Sequence, residues 1–126
     1  MRILILEDDR TLALLIERVL DQFTTHHHQT TTTRAGAAEL LASWSPDLLI
    51  SDLNVTDSNR AETIEWITEL TLPVVISTSA ELGEVARDIL EPHKARLWIW
   101  KKLGNRELIR LVEEALQCQT TLSPAC

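Results

Sequence analysis

Four short apolar runs constrain this chain more than any other feature. Ile3, Leu4, Ile5 and Leu6 form the first, Leu48, Leu49 and Ile50 the second, Val74, Val75 and Ile76 the third, and Leu97, Trp98, Ile99 and Trp100 the last. Three or four consecutive apolar residues without alternation describe a strand buried on both faces. Between the runs the period changes to three and four. Leu12, Leu15, Ile16, Val19, Leu20 and Phe23 mark one helical stripe, and Ala37, Ala38, Leu40 and Leu41 mark another within residues 35–44. Ile64, Ile67 and Leu70 form the third stripe, Leu82, Val85, Ala86, Ile89 and Leu90 the fourth. Leu108, Ile109, Leu111, Val112, Ala115 and Leu116 form the fifth. Asp9, the end of the polar loop 55–60, and Asn105 are the candidate caps. A polar, β-branched tract from Thr24 to Thr33 adds a weak edge strand within residues 27–32. Five strands alternating with five helices predict an α/β fold with a parallel sheet covered on both faces, because each parallel crossover needs a helix to return the chain.

The 126 residues suffice for one domain, predicted over 1–118, with an aperiodic tail at 119–126 that contains Ser123-Pro124. No apolar run approaches the ~20 residues that cross a bilayer, and three acids interrupt the first run before it could serve as a signal sequence. The expectation is a cytoplasmic protein. A formal net charge of −7 argues against nonspecific nucleic-acid binding, which needs Lys and Arg to neutralise phosphates. Cys118 and Cys126 match neither a disulfide framework nor a zinc spacing.

Parallel strands joined by crossovers of one hand bring their carboxyl ends to a single edge, so Glu7, Asp8, Asp52, Thr78 and Lys101 are predicted to converge. Three crowded carboxylates repel one another and raise a pKa unless a cation joins them. Mg²⁺ suits that demand through its preference for oxygen ligands, and no His or Cys at these strand ends favours zinc. Asp52 can in addition act as a nucleophile toward a phosphoryl group, forming an aspartyl phosphate. The oxygens gained would then be met by the Thr78 hydroxyl and the Lys101 ammonium. His26 and His28 alternate on one face of the edge strand but lack a carboxylate or thiol nearby in sequence, and are read as solvated.

With these residues in place, the stretch 1–117 resembles a receiver domain of the two-component response-regulator family. The resemblance implies a flavodoxin-like, doubly wound (βα)5 fold of strand order 2-1-3-4-5, the order the family is known for. It implies Asp52 as phosphoacceptor, Glu7 and Asp8 as the Mg²⁺-binding acid pair, Asn54 as a metal ligand through its backbone carbonyl, Thr78 as the switch hydroxyl and Lys101 as the phosphoryl-facing lysine. Trp98, three residues before Lys101, stands where the family has a mobile aromatic. The sequence departs from the family at Thr56 and Arg60, where Pro and Gly are usual after the acceptor, and at Lys102, where the lysine is usually followed by Pro.

The implied partners are a histidine kinase or phosphotransfer protein upstream, and an effector protein or a second copy of the chain downstream. No output domain is expected beyond Cys126, so output falls to a surface around the last strand, with Trp98 and Trp100 as its aromatic residues. Two other readings stay open. One is a receiver-like binding module that works without phosphorylation. The other is a phosphatase of the haloacid-dehalogenase type, because Asp52-Leu53-Asn54-Val55-Thr56 resembles the D-x-D-x-T motif with Asn54 at the second acid.

Overall fold

The computed structural model describes residues 1–78, 97–100, 102 and 104–121. Its elements are β1 (Arg2–Leu6), α1 (Arg10–Phe23), β2 (His27–Thr31), α2 (Arg34–Ser43), β3 (Leu48–Asp52), α3 (Arg60–Glu69), β4 (Val74–Ser77), β5 (Leu97–Trp100) and α4 (Asn105–Thr121). The predicted helical stripe from Leu82 to Leu90 and residues 122–126 lie outside the described residues. All strands pair in parallel in the order β2-β1-β3-β4-β5, as expected of the doubly wound fold.

The parity of each strand sorts its side chains into two layers. On one face Ile3, Ile5, Leu48, Ile50, Val75 and Trp100 meet Ile16 and Leu20 of α1 and Leu108 and Val112 of α4. On the other, Leu4, Leu6, Leu49, Val74 and Ile76 meet Ala37 of α2 and Ile64 and Ile67 of α3. Every residue of β3 is buried, which makes it the central strand.

The helices start where their caps dictate. Asp9 accepts from the N–H of Thr11 at 2.9 Å and of Leu12 at 3.3 Å, and Asn59 forms a reciprocal capping box with Glu62. The last helix begins at Asn105 itself, after Gly104 at φ +87°, and runs to Thr121, so helix occupies positions 119–121 assigned above to the tail.

Three expectations about side chains change. In α1 the buried residues are Ala13, Ile16, Val19 and Leu20, while Leu15 and Phe23 are exposed. Leu15 stands about 100° around the helix from Ile16, off the edge of the stripe. Phe23, the last residue of α1, lines a surface cleft with Asn105, Arg106 and Ile109 of α4 instead of entering the core. In α2, Ala38 faces solvent and only Ala37 is fully buried. Finally, His26 and His28 are not simply solvated. The ring of His26 bonds Glu113 of α4 at 2.9 Å and that of His28 bonds Asp21 of α1 at 2.8 Å, tying the edge strand to both helices of that face. Among the described residues no helix is long and apolar enough to cross a membrane.

One close approach depends on a missing side chain. A Cβ on Gly36 would lie 2.2 Å from Thr31 Oγ1 and 3.0 Å from Thr33 Oγ1, so any larger residue there requires the Thr31 side chain or the helix to shift. Gly36→Ala is therefore expected to destabilise the domain by about 1 kcal/mol, the overpacking penalty exceeding the gain in helix propensity. Thr31→Ala in the same chain should recover the loss in a thermal melt. An unchanged midpoint for Gly36→Ala alone would show that Thr31 simply rotates aside.

Candidate functional site

The site is built by register. Leu6 pairs with Ser51, which sets Glu7 beside Asp52, and Asp52 pairs with Ser77, which sets Thr78 one step beyond the acid. The N–H of Thr78 then donates to the carbonyl of Trp100 at 3.1 Å, fastening the end of β4 to the end of β5. At this edge Glu7, Asp8 and Asp52 each offer an oxygen, all within 4.8 Å of one another. Glu7 and Asp52 are buried, at 1% and 8% exposure, while Asp8 is exposed.

The partners of these groups are unequal. Asp52 Oδ1 accepts from the N–H of Leu53 at 2.7 Å and of Asn54 at 3.3 Å. Glu7 Oε1 accepts from the N–H of Asp9 at 3.1 Å, but Oε2 has no hydrogen-bond partner among the described residues. Thr78 Oγ1, equally buried, has none either. Buried polar atoms without partners are uncommon because each costs about 1–3 kcal/mol. Glu7 Oε2 belongs to the carboxylate cluster itself, and Thr78 follows Ser77, whose buried hydroxyl also lacks a partner among the described residues, on the strand that pairs with Asp52.

Burial pushes the Glu7 carboxyl up to about 8, with the negative charge of Asp52 adding to the effect. The Asp9 N–H and the charge of Lys102 act in the opposite direction. In its protonated form Glu7 can donate to Asp52, while in its ionised form Oε2 has no donor to meet. The donor set is all oxygen, and its spread compares with the ~4 Å between opposite oxygens of an octahedron with roughly 2.1 Å bonds. The residues present fit Mg²⁺. A bound cation would supply charge neutralisation here, taking the place of the proton on Glu7.

A raised carboxyl makes the metal-free fold sensitive to pH. The unfolded chain releases this proton near 4.5 and the folded chain holds it to about 8, so the contribution to stability is complete in acid and is lost as pH rises through that window. The melting temperature of the metal-free protein is expected to fall by several degrees between pH 5 and pH 8. Glu7→Gln should flatten that profile, and Mg²⁺ at pH 8 should restore the lost stability. A flat wild-type profile would refute a buried, protonated Glu7.

The remaining candidates fall differently. Asn54 is exposed beside the pocket, with its N–H on Asp52. Lys101 lies outside the described residues. Lys102, which stands where the family usually has Pro, is exposed, adopts φ +63°, and brings its charge within reach of Glu7. Trp98 is half-buried. Trp100 is 2% exposed, packed in the core with Leu108, Leu111 and Val112 and donating its indole N–H to the Gly104 carbonyl at 3.3 Å. It therefore offers no surface to a partner, and the expectation that it would is corrected: α4 folds directly over it. One acid went unnoticed in the sequence. Asp57, in the loop after β3, accepts from the N–H groups of Arg34 and Ala35 at the start of α2, at 2.8 and 3.0 Å. No local pattern links positions 22 and 23 residues apart.

Comparison with known proteins agrees with this architecture. No curated protein sequence matches the chain. Among solved structures, NtrX from Brucella abortus superposes with a TM-score of 0.81 at 19% identity, covering 95% of this chain and 27% of that one. The N-terminal signal receiver domain of a two-component system response regulator from Bacteroides fragilis gives 0.75 at 19% identity, over 91% of this chain and 95% of that chain. The BeF3-activated N-terminal receiver domain of RstA from Klebsiella pneumoniae gives 0.73 at 19% identity, over 93% and 99%. These likenesses establish the fold. The description of the response regulator receiver domain matches residues 3–113, nearly the whole chain, and the chain belongs to that family of two-component signalling domains.

Proposed function

We propose that the chain accepts a phosphoryl group on Asp52 from a histidine kinase or phosphotransfer protein, in a reaction that depends on Mg²⁺ held by Glu7, Asp8, Asp52 and the Asn54 carbonyl. The observation that carries this reading is the cluster itself: three carboxylates within 4.8 Å, at the strand edge where the register sets the buried Thr78 one residue beyond the partner of Asp52. Receiver domains are signalling modules that work with kinases and effectors and bind Mg²⁺ at an acidic pocket. The chain is accordingly read as a signalling protein of the cytoplasm that assists only its own phosphorylation and dephosphorylation.

The step is a displacement at phosphorus. Because the backbone N–H groups of Leu53 and Asn54 occupy Oδ1, Oδ2 is the oxygen left to attack. The new O–P bond forms as the P–N bond to the donor imidazole breaks, and the electron pair departs on the ring nitrogen, which takes up a proton. The phosphoryl group brings a charge of roughly −1.5 to −2. Thr78 and Lys101 are the groups proposed to turn toward it, and Thr78 is already bonded through its backbone to Trp100. Any shift of Thr78 is thereby felt by β5, and Trp98 on that strand is the residue proposed to alter the surface offered to an effector or a second copy. Moving such a switch from mostly off to mostly on takes about 5 kcal/mol, within reach of a few charge-assisted hydrogen bonds.

Intact mass spectrometry with Mg²⁺ and an acyl phosphate tests the reading. Wild type should gain one phosphoryl group, and Asp52→Ala or a chelator should abolish the gain. Tryptophan fluorescence should change on phosphorylation or with beryllium fluoride, and Trp98→Phe should remove most of the change. Absence of an adduct, of Mg²⁺ binding and of any response to beryllium fluoride would instead identify a binding module that works without phosphorylation.

A further inference from the structure

The loop 53–59, between the acceptor strand and α3, contains neither proline nor glycine, so nothing covalent restricts its backbone. It is nevertheless tied down at each end. Asp52 holds the N–H groups of Leu53 and Asn54, while at the far end Asn59 and Glu62 close the capping box and the Thr63 hydroxyl donates to Ser58 Oγ at 2.9 Å. Between these ends the Ser58 N–H reaches the Val55 carbonyl at 3.3 Å, in a turn that presents Thr56 and Asp57 to solvent.

Asp57 connects that turn to a different part of the molecule. Its two carboxylate oxygens each take one N–H from the first turn of α2. The helix already has its own cap, since the Thr33 side chain accepts from the Gly36 N–H at 3.0 Å. A local acceptor would serve the remaining donors as well as one 23 residues away. What only a distant acceptor can do is join the two segments. The bonds to Arg34 and Ala35 also hold the Asp57 carboxyl below the usual carboxylate range, so it stays ionised wherever the pocket is at work.

We propose that Asp57 is a positioning residue: by clasping the first turn of α2 it fixes loop 53–59, and with it the Asn54 carbonyl, relative to Asp52. The inference rests on the reading of Asp52 and Asn54 as acceptor and metal ligand, and it assigns the preorganisation of that site to a side chain that touches neither metal nor phosphoryl group.

Two variants separate positioning from capping. Asp57→Ala removes the clasp, and Thr33→Ala removes the local cap of the same helix, each lowering the thermal midpoint by about 4 °C. Asp57→Ala should speed amide hydrogen exchange in residues 53–59 several-fold and weaken Mg²⁺ affinity by roughly tenfold in calorimetric titration. Asp57→Asn, which keeps one acceptor oxygen, should recover part of both. Thr33→Ala should leave loop exchange and Mg²⁺ affinity at wild-type values. Equal effects of the two alanine variants on the loop, or no effect of either, would reduce Asp57 to a helix cap and overturn the proposal. The exchange measurement decides this even for a protein that takes up no Mg²⁺, an outcome that would count against the metal-site reading and not against the clasp.

Discussion

Repulsion between carboxylates that parallel pairing forces together is the constraint on which the rest of this structure depends. β1 and β3 are neighbours in register, so the acids that end them have nowhere to go but against each other. Two unit charges 4 Å apart cost about 1 kcal/mol in water and about 4 kcal/mol near a protein surface, set against a total stability of only about 5–15 kcal/mol for a typical domain. Burial, with the charge of Asp52 second, pushes the Glu7 carboxyl up, and the charge of Lys102 acts against that rise. A proton or a cation added to the cluster would act on that same repulsion.

The layering of the sheet decides what the pocket can influence. Asp52 shares its parity with Leu48 and Ile50, on the side covered by α1 and α4, and Trp98 and Trp100 belong to that side as well. The bond from the Thr78 N–H to the Trp100 carbonyl joins the pocket to the strand that carries both indoles. Trp100 is buried under α4, and Trp98 is half-buried on the same strand.

Polar contacts between elements supply what the apolar layers cannot. His26 and His28 fasten the edge strand to α4 and α1, and Asp57 fastens the acceptor loop to α2. These contacts lie at the rim of the sheet, where hydrophobic burial is thin and the direction of a hydrogen bond can set the relative placement of neighbouring segments. Gly36 plays the matching steric part, since its lack of a side chain admits α2 to the surface of β2.

Local sequence determined the alternation of buried strands and amphipathic helices, the caps at Asp9 and Asn59, and the gathering of Glu7, Asp8, Asp52 and Thr78 at one edge. Each follows from short-range rules: a strand's parity, a helix's period, and the return of the chain by parallel crossovers. The resemblance to receiver domains supplied the strand order, because nothing in the runs themselves says which strands are neighbours. Tertiary structure alone decided the rest. It set Phe23 in a surface cleft against the start of α4, closed α4 over Trp100, found carboxylate partners for two histidines, and joined Asp57 to a helix 23 residues away. The physical reason is common to all four: each depends on a distance between segments that are far apart in the chain, and local periodicity carries no information about such distances.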